Sequence, residues 1–347
     1  MEDLVRIDST ISFSFCTLLL LSGVSAIAGK EGKAEDTLYT HVRFTDSAGN
    51  PLKNLRPEEI GVEVNRTQVQ VLDVMLPDEP FDIGLVMDVS PSKEAEVDPI
   101  RQATDWFVSL FPLQNRIMVL TFDSEIYVDC DWTTDRKEVQ EAIWEYGLHK
   151  PGSSTILYET VVAATEQKFM ERKPRTVMIL FSDGVDTGSK SVNDEESIKF
   201  LDQSALLTYC VQHFSLKHYW RQYYPGHESP DISNIPGPSG TKMGPIMVGG
   251  RSERDMAEYK INSIRDRAVA YLGRLARAGG GQHIQLAAVD ELEKAYARIF
   301  EDLADVFTVT FVSPEGIPET SYRTVTVTTT REGVIAHPLP KRHWIIR

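Results

Sequence analysis

Four apolar runs separated by helix-like segments constrain the fold of this chain more than any other feature. The runs are FDIGLVMD (81–88), RIMVLTF (116–122), TVMILF (176–181) and LLTYCVQHF (206–214). Strands covered on both faces in a parallel sheet have such unbroken apolar sequences. Helical spacing follows the runs, and the first such segment has Asp98 as its expected N-cap and Pro99 at its first position. This alternation predicts a doubly wound, mainly parallel α/β sheet.

The segments on either side of this region, 36–80 and 305–347, alternate apolar and polar residues. The first contains LYTHVRF, EIGVEV and TQVQVLDVML, and the second contains FTVTFV and TVTVTTT. Such alternation is typical of strands with one buried face. Since neither segment is long enough to close a core alone, we predict that both chain ends form one small antiparallel β domain, with their strands in one shared layer. The α/β domain then spans residues 81–304.

A nearly charge-free run, ISFSFCTLLLLSGVSAIA, occupies positions 11–28. It ends in Ala-Ile-Ala, the form of a signal-peptidase site, and so predicts that residues 1–28 are a signal peptide. The protein is then exported, to the periplasm, the cell surface or the medium. Glu2 and Asp3 depart from the positive start of such peptides, so an uncleaved membrane anchor and a buried or misassigned start stay open. No later segment of the sequence approaches the length of a membrane span, and we expect none in the mature chain.

The chain is acidic, with 51 Asp and Glu against 36 Lys and Arg and a formal net charge of −15. No basic cluster offsets this charge, which argues against DNA or RNA as a partner. Three cysteines are too few for a disulfide framework or a structural zinc cluster. Cys130 and Cys210 fall on the third and fifth strands of the expected order 3-2-1-4-5, ~19 Å apart. A disulfide spans at most ~7 Å between Cα atoms, so we expect free thiols.

Residues 217–255 interrupt the alternation of strands and helices. The segment is rich in Pro, Gly, Ser and Tyr and has no hydrophobic period, which predicts a long surface insertion. An aromatic cluster stands at its start, comprising Tyr219, Trp220, Tyr223 and Tyr224. Such a cluster forms a contact surface or packs the insertion onto the domain, and packing is the favoured interpretation.

Residues with side-chain oxygens follow the apolar runs at their carboxyl ends. Asp88, Ser90 and Ser92 form a D-x-S-x-S motif whose alternate side chains face the same way. Asp183 follows the TVMILF run, and Thr155 lies in a G-S-S-T sequence between them. Open α/β sheets bind ligands beyond the carboxyl ends of their strands. Two carboxylates and three hydroxyls there predict an all-oxygen site, which suits Mg²⁺ or Mn²⁺, although such residues also cap helices.

Other polar residues have simpler interpretations. Asp123 is expected to cap a strand end and Asp186 to lie in a loop. His213 and His218 lack the spacing of zinc ligands, and the sequence has no H-E-x-x-H. It also has no G-x-S-x-G, so a serine hydrolase of that type has no nucleophile elbow.

Three of these sequences together resemble the von Willebrand factor A-type (VWFA) domain, in particular the bacterial secreted VWFA-related proteins. They are FDIGLVMDVSPS, GSSTILYETV and TVMILFSDGVDTGS, and both β segments resemble the flanking strands of those proteins. The resemblance implies a Rossmann-like sheet with a metal-ion-dependent adhesion site (MIDAS). The matching positions are Asp88, Ser90, Ser92, Thr155 and Asp183. Pro91 and Lys93 depart from the motif, and Lys93 would weaken cation binding if it pointed inward.

The leading functional prediction is therefore a protein-binding module and not an enzyme. A cation held by two carboxylates keeps positive charge and an open coordination position, which a Glu or Asp of a partner protein would fill. Two alternatives remain. One is a scaffold or chaperone-type protein of the same fold with a vestigial metal site. The other is a hydrolase in which the cation activates water, which needs a general base that the sequence does not identify.

Overall fold

The computed structural model describes residues 5–7, 37–148, 152–169, 175–204, 206–227, 252–313, 323–339 and 342–343. The charge-free run at positions 11–28 lies outside these residues. The strands are β1 Val5–Ile7, β2 Thr37–Thr45, β3 Ile60–Val64, β4 Thr67–Val69, β5 Val71–Met75, β6 Asp82–Asp88, β7 Ile117–Phe122, β8 Ile126–Thr133, β9 Thr176–Ser182, β10 Leu207–His213, β11 Gly280–Leu286, β12 Phe307–Val312, β13 Arg323–Thr329, β14 Ile335–Leu339 and β15 Arg342–His343. The helices are α1 Val97–Ser109, α2 Arg136–Glu145, α3 Leu157–Ala164, α4 Asp194–Ser204, α5 Leu216–Tyr223, α6 Glu253–Ala278 and α7 Leu292–Leu303.

The central sheet has seven strands in the order β1-β8-β7-β6-β9-β10-β11. Strands β7, β6, β9, β10 and β11 pair in parallel, whereas β8 and β1 are antiparallel to their neighbours. One face packs on α1 and α7, where Phe107 stacks on Tyr296. The other face packs on α3, α4 and α6 through Leu157, Leu201 and Leu272. The predicted doubly wound, mainly parallel α/β sheet is confirmed.

Helix α1 begins earlier than the sequence indicates. A 3-10 turn, Pro91–Glu96, leads directly into the helix at Val97, and Glu96 occupies the N-cap position. Asp98 therefore lies in the first turn, where its negative charge suits the helix dipole, and the prediction of Asp98 as the cap is wrong.

The strands from the two chain ends form a small β domain, as predicted, but in two sheets and not in one layer. One sheet has the order β14-β2-β12-β5, and the other has the order β15-β13-β3-β4. Strand β2 pairs with β12 and β14, whereas β13 pairs with β3. The two sheets share one apolar core that includes Val42, Val62, Val309 and Val327. A strand with a single apolar face needs a second sheet opposite it to bury that face, which accounts for the two layers.

Part of the segment 217–255 is helical. Helix α5 covers its first residues, α6 begins at Glu253, and residues 228–251 lie outside the described part of the chain. The sequence pattern was too short and too aromatic to indicate α5. Tyr219 and Trp220 are buried against α6 at Ile261, so these aromatic residues pack the segment onto the domain.

Two further expectations bear on the core and on the membrane. Cys130 and Cys210 are buried free thiols, as predicted. Within the described ranges, no helix combines the length and the apolarity that crossing a membrane requires.

Candidate metal centre

The two carboxylates of the predicted site stand at the ends of adjacent strands. Strand β6 ends at Asp88, and β9 ends at Ser182, directly before Asp183. The two strands are parallel neighbours with Met87 opposite Phe181, so both chains leave the sheet at the same edge. Asp88 and Asp183 are 0% and 1% exposed, which makes the site more enclosed than a surface crevice.

A chain of hydrogen bonds joins four of the five predicted ligands. The Ser90 amide donates to Asp88 Oδ1 at 2.9 Å, and the hydroxyls of Ser90 and Ser92 are 3.3 Å apart. The Ser92 hydroxyl donates to Asp183 Oδ2 at 2.7 Å. The D-x-S-x-S loop therefore turns its three side chains toward the carboxylate at the end of the next strand.

Thr155, the fifth predicted ligand, is held in position by its backbone. Its amide donates to the Thr187 hydroxyl at 2.9 Å, and its carbonyl accepts from the Thr187 and Gly188 amides. The loop before it is tied to Asp123, whose Oδ2 accepts from the Gly152 amide at 2.6 Å. Thr155 lines the same cleft of 840 Å³ as Ser90 and Ser92. Ser90, Ser92 and Thr155 thus share one cleft, whereas Asp88 and Asp183 are buried and are not among the residues that line it.

Burial and, to a lesser degree, the negative charge of Asp183 raise the pKa of Asp88 to about 6. Hydrogen bonds from Ser90 and Ser182 and the charge of Lys93 oppose this shift. A carboxylate whose ionisation is opposed by burial and by a neighbouring carboxylate gains from a cation placed beside it.

Lys93 points inward. It is 1% exposed, its Nζ donates to the His213 carbonyl, and it lies 5.4 Å from the centre of the Phe181 ring. The sequence identified Lys93 as a departure from the motif but did not determine its direction. Its positive charge offsets part of the negative charge of the site, which lowers the attraction for a cation.

Several residues that support the site were not identified from the sequence. The Ser182 hydroxyl donates to Asp88 Oδ2 at 2.7 Å, and Gln212 Nε2 donates to the Asp183 carbonyl at 2.7 Å. Tyr219 of α5 donates its hydroxyl to Asp183 Oδ2 at 2.8 Å. Ser182 stood beside Asp183 in the S-D-G sequence, so its position was a usable signal. Tyr219 had no such signal, because nothing in the sequence shows that α5 reaches this strand end.

The polar residues that were expected to be structural have structural contacts. Asp186 Oδ2 accepts from the Tyr158 amide at 3.0 Å, at the start of α3. Asp123 accepts from the Glu125 amide at 3.0 Å and so closes its own turn. His213 faces Glu96, with Nδ1 and Oε2 2.7 Å apart, and both residues line the cleft.

The donor set fits a hard divalent cation. All five side chains offer oxygen, two of them are carboxylates, and the carboxylates are buried beside each other. In the part of the chain that the structure describes, no group of three or more His, Cys, Asp or Glu is placed to hold a metal ion. Any cation here would therefore depend on the serine and threonine hydroxyls, which favours Mg²⁺ or Mn²⁺ over softer metals.

The strand order and the helices on both faces match the doubly wound α/β fold of a von Willebrand factor A-type domain. The sequence resemblance predicted this fold, and the β domain formed by the two chain ends accompanies it.

No model of a known protein family matches the sequence, and no curated protein matches it. Solved structures with some similarity include a von Willebrand factor type A protein from Catenulispora acidiphila, at 9% identity and a TM-score of 0.44 over 92% of this chain and 76% of that one. BatB from Bacteroides thetaiotaomicron is 13% identical, with a TM-score of 0.41 over 65% of this chain and 98% of that one. Proximal thread matrix protein 1 of the mussel byssus, solved with a zinc-occupied MIDAS motif, is 14% identical, with a TM-score of 0.43 over 70% of this chain and 49% of that one.

Proposed function

We propose that this protein is an exported, metal-dependent protein-binding module. The observation that carries the proposal is the convergence of Asp88, Ser90, Ser92 and Asp183 in one hydrogen-bonded chain beside an open cleft. Asp88, Ser90, Ser92, Thr155 and Asp183 would hold Mg²⁺ or Mn²⁺. When bound, the cation would supply positive charge and one coordination position for an outside ligand.

The residues of the chain determine which ligand suits this position. Ser90, Ser92 and Thr155 line the cleft, whereas Asp88 and Asp183 are buried and do not, so the candidate ligands that face the cleft are neutral hydroxyls. An acidic side chain therefore meets no carboxylate at the coordination position itself. We propose that the partner is a protein that presents a Glu or Asp side chain there. Export is part of the proposal and rests only on the charge-free N-terminal run at positions 11–28.

Magnesium titration tests the metal site. Mg²⁺ at a hundredfold excess over its dissociation constant should stabilise the wild type by about 2.7 kcal/mol. Asp88→Asn and Asp183→Asn should show no stabilisation, because each removes one carboxylate. Asp98→Asn is the control, since its carboxylate is exposed on α1 and contacts Arg101. An equal Mg²⁺-induced shift in all four proteins would place the cation elsewhere.

The partner is tested with the same variants. The wild type should retain envelope proteins in the presence of Mg²⁺ and release them in EDTA, and Asp183→Asn should retain none of that set. The scaffold alternative predicts partners that bind equally in Mg²⁺ and in EDTA.

A hydrolase is the second candidate because His213 and Glu96 form a pair that lines the cleft. An imidazole oriented by a carboxylate is the usual form of a general base. A panel of phosphate monoesters and carboxylic esters, assayed with Mg²⁺ and Mn²⁺, tests it. Turnover that Asp183→Asn and His213→Gln both abolish would favour the enzyme, and absence of turnover across the panel would exclude it for these substrates.

A further inference from the structure

Helix α5 places a side chain on the candidate metal centre. Tyr219 is buried, and its hydroxyl donates to Asp183 Oδ2 at 2.8 Å. The tyrosine ring stacks on Phe214, with the ring centres 4.4 Å apart and an angle of 11° between the planes. The contact is therefore held by packing as well as by the hydrogen bond.

The rest of α5 packs against α6. Trp220 packs against Ile261, and Lys260 Nζ lies 4.1 Å from the centre of the Tyr223 ring. The Trp220 indole nitrogen is buried, and it has no hydrogen-bond partner among the residues that the structure describes. A buried donor without a partner costs free energy. The packing of α5 on α6 thus combines close contacts with one unfavourable group, the Trp220 indole nitrogen.

The hydrogen bonds at Asp183 compete with a cation for the same oxygen. Oδ2 accepts two hydroxyl hydrogens, from Ser92 and from Tyr219. Ser92 is itself a candidate ligand and stays at the site when its oxygen turns toward a cation. Tyr219 is not part of the motif, and its hydroxyl occupies a lone pair of Oδ2 that a cation would otherwise use.

We propose that Tyr219 is a latch that couples α5 to the metal site. In the closed arrangement Tyr219 holds Asp183, and α5 forms one wall of the cleft through Leu216, Lys217, His218 and Arg221. Coordination by Asp183 releases Tyr219, and with it the anchor of α5 over the site. The wall of the cleft is then free to adjust to the partner. This inference rests on the proposed function, and it adds a link between metal occupancy and the shape of the binding surface.

Tyr219→Phe tests the competition, because it removes the hydroxyl and keeps the ring. Isothermal titration with Mg²⁺ should give an affinity for Tyr219→Phe that is about tenfold higher than for the wild type, since a hydrogen bond to a charged group no longer opposes binding. Tyr223→Phe is the matched control, because Tyr223 lies on the same helix and contacts Lys260. Its affinity should equal that of the wild type.

Equal affinities of the wild type and Tyr219→Phe would overturn the latch and leave the proposed function standing. Absence of Mg²⁺ binding in both proteins would overturn the proposed function and the latch together. Binding by Tyr219→Phe alone would support both, with the latch closed in the wild type.

Hydrogen exchange provides a second readout that does not depend on affinity. Without metal, the amides of α5 should exchange faster in Tyr219→Phe than in the wild type, and Tyr223→Phe should not show this increase. Adding Mg²⁺ to the wild type should speed exchange in α5 while slowing it in the loops at Ser90 and Thr155. A metal that simply rigidified the site would slow exchange in all of these segments, and that result would contradict the latch.

Discussion

Asp88 lies in an environment that opposes its own ionisation. It is fully buried, it faces the charge of Asp183, and only two hydrogen bonds and Lys93 favour the charged form. The folded protein therefore holds a proton on Asp88 up to about pH 6, whereas the unfolded chain releases it near the ordinary aspartate pKa of 3.8. Between these values the folded state binds more protons than the unfolded state.

The sign of this difference gives a pH prediction. Without metal, the free energy of unfolding should fall as the pH rises from 4 to 6, by at most about 3 kcal/mol, and Asp88→Asn should lack this loss. His283 acts in the opposite direction over the same range, because burial lowers its pKa to about 4. The comparison is therefore made between the two proteins, by urea unfolding in EDTA at pH 4.5 and pH 7. Identical pH profiles would show that Asp88 ionises normally.

Lys93 is a second residue whose effect on the site is testable. Replacing it with methionine keeps most of its volume and removes its positive charge from a buried position beside Asp88. The affinity for Mg²⁺ should rise by about tenfold, because less positive charge opposes the cation. The metal-free protein should become less stable, because the repulsion between the carboxylates is less offset. Titration calorimetry and melting in EDTA measure the two effects, and an unchanged affinity would mean that Lys93 is screened from the site.

At the scale of the structural element, the turn after β9 depends on one glycine. Gly184 has a φ of +82°, and a Cβ there would lie 2.8 Å from Leu272 Cδ1 of α6. A side chain at this position meets both backbone strain and a packed helix, directly beside Asp183.

Gly184→Ala should therefore cost about 2 kcal/mol and weaken Mg²⁺ binding. Gly49→Ala is the control, because Gly49 has a φ of +88° and a Cβ at this position would have no atom within 4 Å. It should cost about 1 kcal/mol, from backbone strain alone, and leave Mg²⁺ binding unchanged. Thermal melting and Mg²⁺ titration of both variants separate strain from packing. Equal effects of the two substitutions on metal binding would contradict the role given to the contact with Leu272.

The elements differ in how far the sequence predicts them. Largely apolar runs identify β6, β7, β9 and β10, because strands that are buried on both faces are mostly apolar. The placement of Asp88 and Asp183 at one edge of the sheet follows from the same runs, since the carboxyl ends of adjacent parallel strands share an edge. Helix α5 was not predicted, because its eight residues are mostly aromatic and basic and its burial comes from contact with α6. The placement of β13 in a different sheet from β2 was also missed, since alternation shows that a face is buried but not against which sheet.

At the scale of the whole molecule, one arginine connects the β domain to the central sheet. Arg175 precedes β9, and its guanidinium donates to the carbonyls of Glu79, Val306 and Pro77 while it lies 3.8 Å from the centre of the Phe81 ring. Burial lowers its pKa to about 10, so it remains charged at neutral pH. These carbonyls belong to both connections between the two parts of the chain.

Arg175→Met should leave three carbonyls without their donor and cost about 3 kcal/mol. Loss of these hydrogen bonds should also uncouple the β domain from the α/β unit. Calorimetry should then show two melting steps for the variant and one for the wild type. Arg56→Met is the control, because the Arg56 side chain is 76% exposed. A single transition in Arg175→Met, at the wild-type temperature, would show that the apolar contacts are sufficient.

The placement of the site opposite the β domain has a mechanical consequence. Strands β6 and β9 start beside the β domain and end at the carboxylates, so a load between a bound partner and the β domain runs lengthwise along them, over ~23 Å. The hydrogen bonds between these strands then lie across the load and share it. A pull applied at residues 37 and 339 instead separates β2 from its neighbours in the sheet, β12 and β14, one hydrogen bond after another. In a single-molecule experiment, unfolding should therefore need a higher force when the load is applied between a cysteine handle at position 153 (S153C) and the β domain than when it is applied between residues 37 and 339. Equal forces would mean that the sheet is not the resisting element.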